Sequence, residues 1–222
     1  MSDSKLGDAF VEWARREPAI RAVVLFGSRA RATGAPDGAD RYSDWDFQII
    51  TRQPDRFANP AWVRTAGISE PIAYALRPRR VGRGVKVSAV FSGGELELVS
   101  TPAFQFALAR WLWRFGLLAR SRSAMTALGD LASLLRPGYR VVKGETDWGR
   151  FFAHVATAIP PTRLDDEAVV GIAARFVCDY LSALQKIERG ELLAAQRWLH
   201  HYLAEANFNL LHELKERRGE KS

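Results

Sequence analysis

Ile20-Arg21-Ala22-Val23-Val24-Leu25-Phe26-Gly27-Ser28, with Ser43-Asp44-Trp45-Asp46-Phe47 after a loop, is the stretch that decides the fold. The run from Ile20 to Phe26 is β-branched and apolar and lies between Pro18 and Gly27, which predicts a buried strand. Gly27 permits a sharp turn. Ser28 then stands where Arg29-Ala30-Arg31-Ala32 can begin a helix, so that the hydroxyl and the N–H groups of the first turn would face an anion. A capping serine alone would explain this junction, since serine is a leading N-cap residue. The pattern gains weight only from the second segment.

Asp44 to Ile50 alternates polar and apolar residues. As a strand it sends Asp44, Asp46 and Gln48 to one face and Trp45, Phe47 and Ile49 to the other. Aspartate is depleted in strands, and two of them one strand step apart repel each other unless a cation lies between them. Mg²⁺ takes oxygen ligands and is commonly held by one or two carboxylates together with substrate phosphates. A third carboxylate is expected on a hairpin. Val85 to Phe91, then Ser92-Gly93-Gly94, then Glu95-Leu96-Glu97-Leu98-Val99 has glycines at its turn and alternation on its return strand. Glu95 and Glu97 share a face; Glu97, farther from the turn and nearer the strand of Asp44 and Asp46, is favoured, with Glu95 the alternative. A third carboxylate there would bind metal or remove a proton.

In this order, the Gly27-Ser28-Arg29-Ala30-Arg31 turn, Ser43-Asp44-Trp45-Asp46-Phe47 and the hairpin glutamate resemble the nucleotidyltransferase superfamily related to DNA polymerase β. More narrowly, they are similar to the antibiotic O-nucleotidyltransferases that modify aminoglycosides or lincosamides. The motifs occupy roughly the first hundred residues. The resemblance implies that Gly27 and Ser28 bind a nucleoside triphosphate and that Asp44 and Asp46 hold Mg²⁺, with Glu97 a metal ligand or general base. It also implies ATP or another nucleoside triphosphate as co-substrate, two Mg²⁺ ions clamping an in-line displacement at the α-phosphorus, and a small hydroxyl-bearing acceptor that takes the nucleoside monophosphate as pyrophosphate leaves. Arg29 and Arg31 are candidates to neutralise the triphosphate. One departure from the family pattern is the longer loop between Ser28 and Asp44, containing Gly34, Pro36, Asp37, Gly38 and Asp40, which bears on Arg31.

The expected fold class is α+β, a small mixed sheet with flanking helices followed by a C-terminal helical bundle. The expected division is a catalytic domain over 1–100 and a helical acceptor-binding or lid domain over 101–222. Leu6, Phe10 and Trp13 recur at helical spacing ahead of the first strand. Beyond residue 100 everything reads as helix. Thr101-Pro102 marks a helix start, Ser123 to Arg136 is a helix stopped by Pro137-Gly138, Asp165 caps a long helix ended by Gly190, and Leu192 to Arg218 is the last.

The chain has 222 residues, 47% of them hydrophobic, enough for one large domain or two small ones. Arg110 and Arg114 interrupt the most apolar stretch, Phe104 to Leu118, so no membrane span is expected. The charged N-terminal residues argue against a signal peptide. Cys178, the single cysteine, is expected as a buried thiol in a reducing cytoplasm. The net charge of +7 gives no reason to expect a polycationic acceptor, though a pocket can be acidic on a basic protein. The run Arg77-Pro78-Arg79-Arg80-Val81-Gly82-Arg83 keeps open an alternative, a nucleotidyltransferase-fold protein of a toxin–antitoxin pair or one acting on RNA or a protein partner. His200, His201 and His212 lack the spacing of helical metal ligands, and zinc is not expected.

Overall fold

The computed structural model describes residues 3–31, 38–40, 43–77, 84–160 and 163–219. By contacts the chain forms two compact units, residues 1–162 and 163–222.

The first unit is built on a sheet that has six strands among the described residues, in the order β3-β4-β5-β2-β1-β6. These are β1 (Ile20–Phe26), β2 (Trp45–Thr51), β3 (Ala73–Arg77), β4 (Val85–Phe91), β5 (Gly94–Pro102) and β6 (Tyr139–Lys143). Neighbours are antiparallel except β2 and β5, which run parallel. The mixed sheet with flanking helices is the α+β arrangement expected. From Ala22 to Phe26 the apolar run of β1 is continuous because both faces of the sheet are covered there. Val23 and Leu25 join Trp45, Phe47 and Ile49 in one core, closed by helix α1 (Asp3–Arg16) and the short helix α2 (Ala61–Thr65), which supply Leu6, Phe10, Trp13 and Trp62. Ala22, Val24 and Phe26 face the other core, formed with α4 (Arg122–Leu135) and α5 (Glu145–Ala158), while α3 (Ala103–Arg114) packs at its margin through Phe106 and Trp113. A register shift between Ile20 and Ala22 inserts one residue, so Ile20 shares a core with Val23 instead of with Ala22.

Two expectations change here. The segment after residue 100 is not all helix: Tyr139–Lys143 is a strand, paired antiparallel with the outer side of β1. Its Lys143 donates to the carbonyls of Ala14 and Glu17 at 2.8 and 2.7 Å, satisfying acceptors that the end of α1 leaves open. The division by contact falls after residue 162, not near residue 100. The reason is that Leu128, Leu135, Phe151 and Phe152 of α4 and α5 bury their side chains against the sheet.

The second unit is helical. It contains α6 (Asp166–Glu188), then α7 (Leu192–Arg197), which continues through one wide π-turn (Trp198–Leu203) into α8 (Ala204–Arg218). Asp165 caps α6 by accepting from the Ala168 N–H at 2.8 Å, and Gly190 comes after the helix at φ +73°, both as the sequence predicts. The buried carboxylate of Glu213 accepts from the Leu164 N–H at 3.0 Å and from Arg217 at 2.9 Å, and Arg217 also bonds Asp166 at 2.7 Å. This clasp ties the start of α6 to α8. Cys178 is exposed on α6, against the expectation of a buried thiol, because the buried residue of that helix, Ala183, lies on another of its faces. Among the described residues no helix is long and apolar enough to cross a membrane.

Candidate active site

β1 and β2 are aligned so that Phe26, the last residue of β1, lies opposite Asp46. Gly27 comes next and adopts φ +76°, a conformation that side chains rarely tolerate. A Cβ at that position would stand 2.5 Å from Asp46 Oδ2, so glycine is required twice: by the turn and by the approach of the carboxylate. Ser28–Ala30 then forms a single tight 3₁₀ turn, with the Ala30 N–H donating to the Gly27 carbonyl at 3.2 Å.

On the other side of β2, the parallel pairing with β5 places Asp46 opposite Glu97. Asp44 precedes the strand. One carboxylate oxygen from each of Asp44, Asp46 and Glu97 can be chosen so that all lie within 4.8 Å of one another, and all three residues are half-buried. The structure therefore brings the two aspartates and Glu97 into one cluster next to the Gly27 bend. Glu95 is not one of the three, although its charge reaches Asp46.

The electrostatics differ sharply between two neighbours. Burial, reinforced by the negative charges of Asp44 and Glu97, pushes the Asp46 carboxyl up to about 7. Burial works in the same direction on Glu97, but hydrogen bonds from Lys86 and Ser88 and the charges of Lys86 and Arg77 outweigh it and hold that carboxyl below its usual value. The Lys86 ammonium is 2.9 Å from Oε2 and the Ser88 hydroxyl donates to Oε1 at 2.7 Å. Arg77 Nε donates in turn to Ser88 Oγ at 3.4 Å. The site thus has one carboxyl with surplus negative charge around it and one that is compensated. The donor set, all oxygen, suits a hard divalent cation such as Mg²⁺, and an excess of negative charge around Asp46 is what such an ion would relieve.

The remaining predicted residues take different places around this cluster. Arg29 reaches across to the loop before β2: its Nε donates to the carbonyls of Ser43 and Asp44, each at 3.0 Å, and its guanidinium lies 4.5 Å from the centre of the Trp45 ring. It braces the backbone that carries Asp44. Arg31 comes after the turn, with its Cγ beside Gly138 at the foot of β6. Gln48, the third polar residue on that face, is buried and donates to the Val99 carbonyl and Thr101 Oγ1 at 2.9 and 3.0 Å, so it knits β2 to β5. Gly34, Pro36 and Asp37 of the long loop, and residues 78–83 of the basic run, lie outside the described residues.

Lys86 and Ser88 are the site residues that motif reading passes over. The hairpin itself carries their signal: with Phe91 opposite Gly94 at the turn, counting back along it sets Ser88 opposite Glu97.

A strand ending in a glycine-serine bend, one aspartate on the strand beside it with a second just before that strand, and a glutamate on the next form the arrangement that the resemblance to nucleotidyltransferases implies. Residues 1–78 match the family model described as streptomycin adenylyltransferase, a span that includes Gly27, Asp44 and Asp46 and ends before Lys86 and Glu97. No curated protein matches the chain. Among solved structures, an aminoglycoside 6-adenyltransferase from Bacillus subtilis is similar at 14% identity and a TM-score of 0.36, over 99% of this chain and 70% of that one. A nucleotidyltransferase-like protein from Exiguobacterium sibiricum 255-15 is similar at 12% identity and a TM-score of 0.31, over 97% of this chain and 57% of that one.

Proposed function

We propose that the chain transfers a nucleoside monophosphate, AMP from ATP, to a hydroxyl group of a small antibiotic-like acceptor, with pyrophosphate as the second product. The observation that carries this reading is the cluster of Asp44, Asp46 and Glu97 oxygens within 4.8 Å of one another, set against a bend where glycine alone fits. The match of residues 1–78 to a streptomycin adenylyltransferase family supports the adenylyl donor and the antibiotic acceptor. The need for nucleoside triphosphate makes the cytoplasm the place of the reaction.

Asp44, Asp46 and Glu97 would hold two Mg²⁺ ions, which when bound supply charge neutralisation for the phosphates and acidify the acceptor hydroxyl. Gly27 and Ser28 would receive the triphosphate at the bend, with the missing side chain of Gly27 letting the Asp46 carboxylate stand against it. Arg29 acts by fixing Ser43 and Asp44 through their carbonyls. Arg31, next along the turn, is the arginine proposed to meet the phosphates. Glu97 accepts hydrogen bonds on both oxygens and stays ionised, which suits it to a ligand's part better than to removing a proton.

The test is ³²P transfer from α-labelled ATP with Mg²⁺, screened against aminoglycosides, lincosamides, simple alcohols and bulk tRNA. Label should appear on a small acceptor, and Asp46→Asn should lose more than about 100-fold in turnover with an unchanged circular dichroism spectrum. Label found on tRNA alone would overturn the acceptor class, and full activity of the Asp46→Asn protein would overturn the site.

A further inference from the structure

Lys86 has an unusual place in the hairpin. Directly across from it on β5 stands Val99, and on β3 Arg77, yet its ammonium reaches diagonally to Glu97. The residue directly opposite Glu97 is Ser88, so the two β4 side chains engage one oxygen of the carboxylate each. The Lys86 charge also acts on Asp46, against the combined field of Asp44, Glu97 and Glu95. With its side chain 37% exposed and that of Glu97 23% exposed, the ion pair lies within reach of solvent.

We propose that Lys86 is a positioning residue that serves as the resident counter-cation of the carboxylate trio, holding Glu97 in place before the divalent ion arrives and competing with that ion for the same oxygen. The inference rests on the metal-binding reading above. Three carboxylates this close repel one another, and an ammonium 2.9 Å from one of them is the simplest local compensation the chain supplies. A flexible, strongly hydrated lysine suits a part that must be given up, since its single charge makes no bidentate fork with the carboxylate. Ser88, backed by Arg77, keeps its bond to the other oxygen and preserves the aim of Glu97 when Lys86 withdraws.

An ion pair that only steadied the hairpin would give the opposite sign of effect from a competitor, and this makes the idea testable without turnover. Mn²⁺ binding to the full chain, free of nucleotide, is measured by electron paramagnetic resonance in the wild type, Lys86→Met and Lys86→Arg. Lys86→Met should bind Mn²⁺ tighter by on the order of tenfold, because a positive charge beside the ion is gone. Lys86→Arg, which keeps the charge and can fork onto the carboxylate, should bind no tighter than the wild type. Unchanged or weaker binding by Lys86→Met, or an arginine variant as tight as the methionine one, overturns the inference while leaving the metal site standing. A wild-type chain that takes up no Mn²⁺ at millimolar concentration overturns the metal reading and this inference with it.

Discussion

The sheet unit and the helical unit bury different kinds of residue. In the first, Phe10, Phe47, Trp62, Phe151 and Phe152 are fully enclosed, and the aromatic rings of one core touch in an unbroken series from Phe57 through Trp62 and Phe10 to Phe47. In the second, the buried apolar side chains are mostly small, Ala183, Ala195 and Ala206 with Leu203, while Val170, Leu181, Leu193, Phe208 and Leu211 are exposed. The contrast teaches where rigidity is needed. Holding three carboxylates together demands a frame that cannot relax away from the repulsion, and a close-packed sheet with both faces covered is such a frame. The helical unit is held by smaller buried contacts and by the polar clasp of Glu213 and Arg217, so its most exposed apolar residues, such as Leu193, contribute little to its stability in this chain.

That contrast can be broken most directly in the core of the sheet unit. Phe152→Ala should cost about 3–5 kcal/mol in urea unfolding, since the ring is fully enclosed between α5 and the sheet. A loss below about 1 kcal/mol would mean the frame is softer than its packing implies. The electrostatic strain on the frame gives a second, smaller effect. Asp46 is raised from 3.8 to about 7 in the fold, so across that window the folded chain binds more protons than the unfolded one. Stability of the metal-free protein should therefore fall as pH rises from about 4 to 8, by about 2 kcal/mol after allowance for solvent screening of a partly exposed group. Glu97, lowered in the fold, acts with the opposite sign, its contribution present at neutral pH and lost on acidification through its depressed value. The Asp46 share is isolated by comparing wild type with Asp46→Asn in thermal melts over the window: the variant should show a shallower decline, and identical slopes would contradict the assignment. The smallest effect belongs to the helical unit. Leu193→Ala, at a side chain 82% exposed, should change stability by less than about 0.5 kcal/mol, and a loss above about 1.5 kcal/mol would show that this face is covered in solution.

How legible each feature is in the residues depends on the range of the interaction behind it. The alternation of Trp45, Phe47 and Ile49 with Asp44, Asp46 and Gln48 is local, so it predicts which face of β2 enters the core and which carries charge. The cap at Asp165 and the stop at Gly190 are local too. That Glu97 lies beside Asp46 depends on β5 running parallel to β2 across a long connection, and nothing within either strand states it; only the chemical expectation of a third carboxylate leads there. β6 escapes sequence reading because Tyr139-Arg140-Val141-Val142-Lys143 is short and carries two cations, and it becomes a strand through its partner β1, not through its own pattern. Its place after the bend makes Arg29 read as a phosphate ligand. Its bonds to the Ser43 and Asp44 carbonyls arise from how the chain returns to the sheet, which a linear motif does not encode.

Cys178 is the sole cysteine and stands exposed on α6. Nature has thereby left a unique attachment point for a maleimide dye or nitroxide, on a different unit from the carboxylates, with no competing thiol to mutate away. With a nitroxide there and a paramagnetic ion at the proposed metal site, the pair would form a built-in molecular ruler, reading the separation of the two units on otherwise unaltered protein.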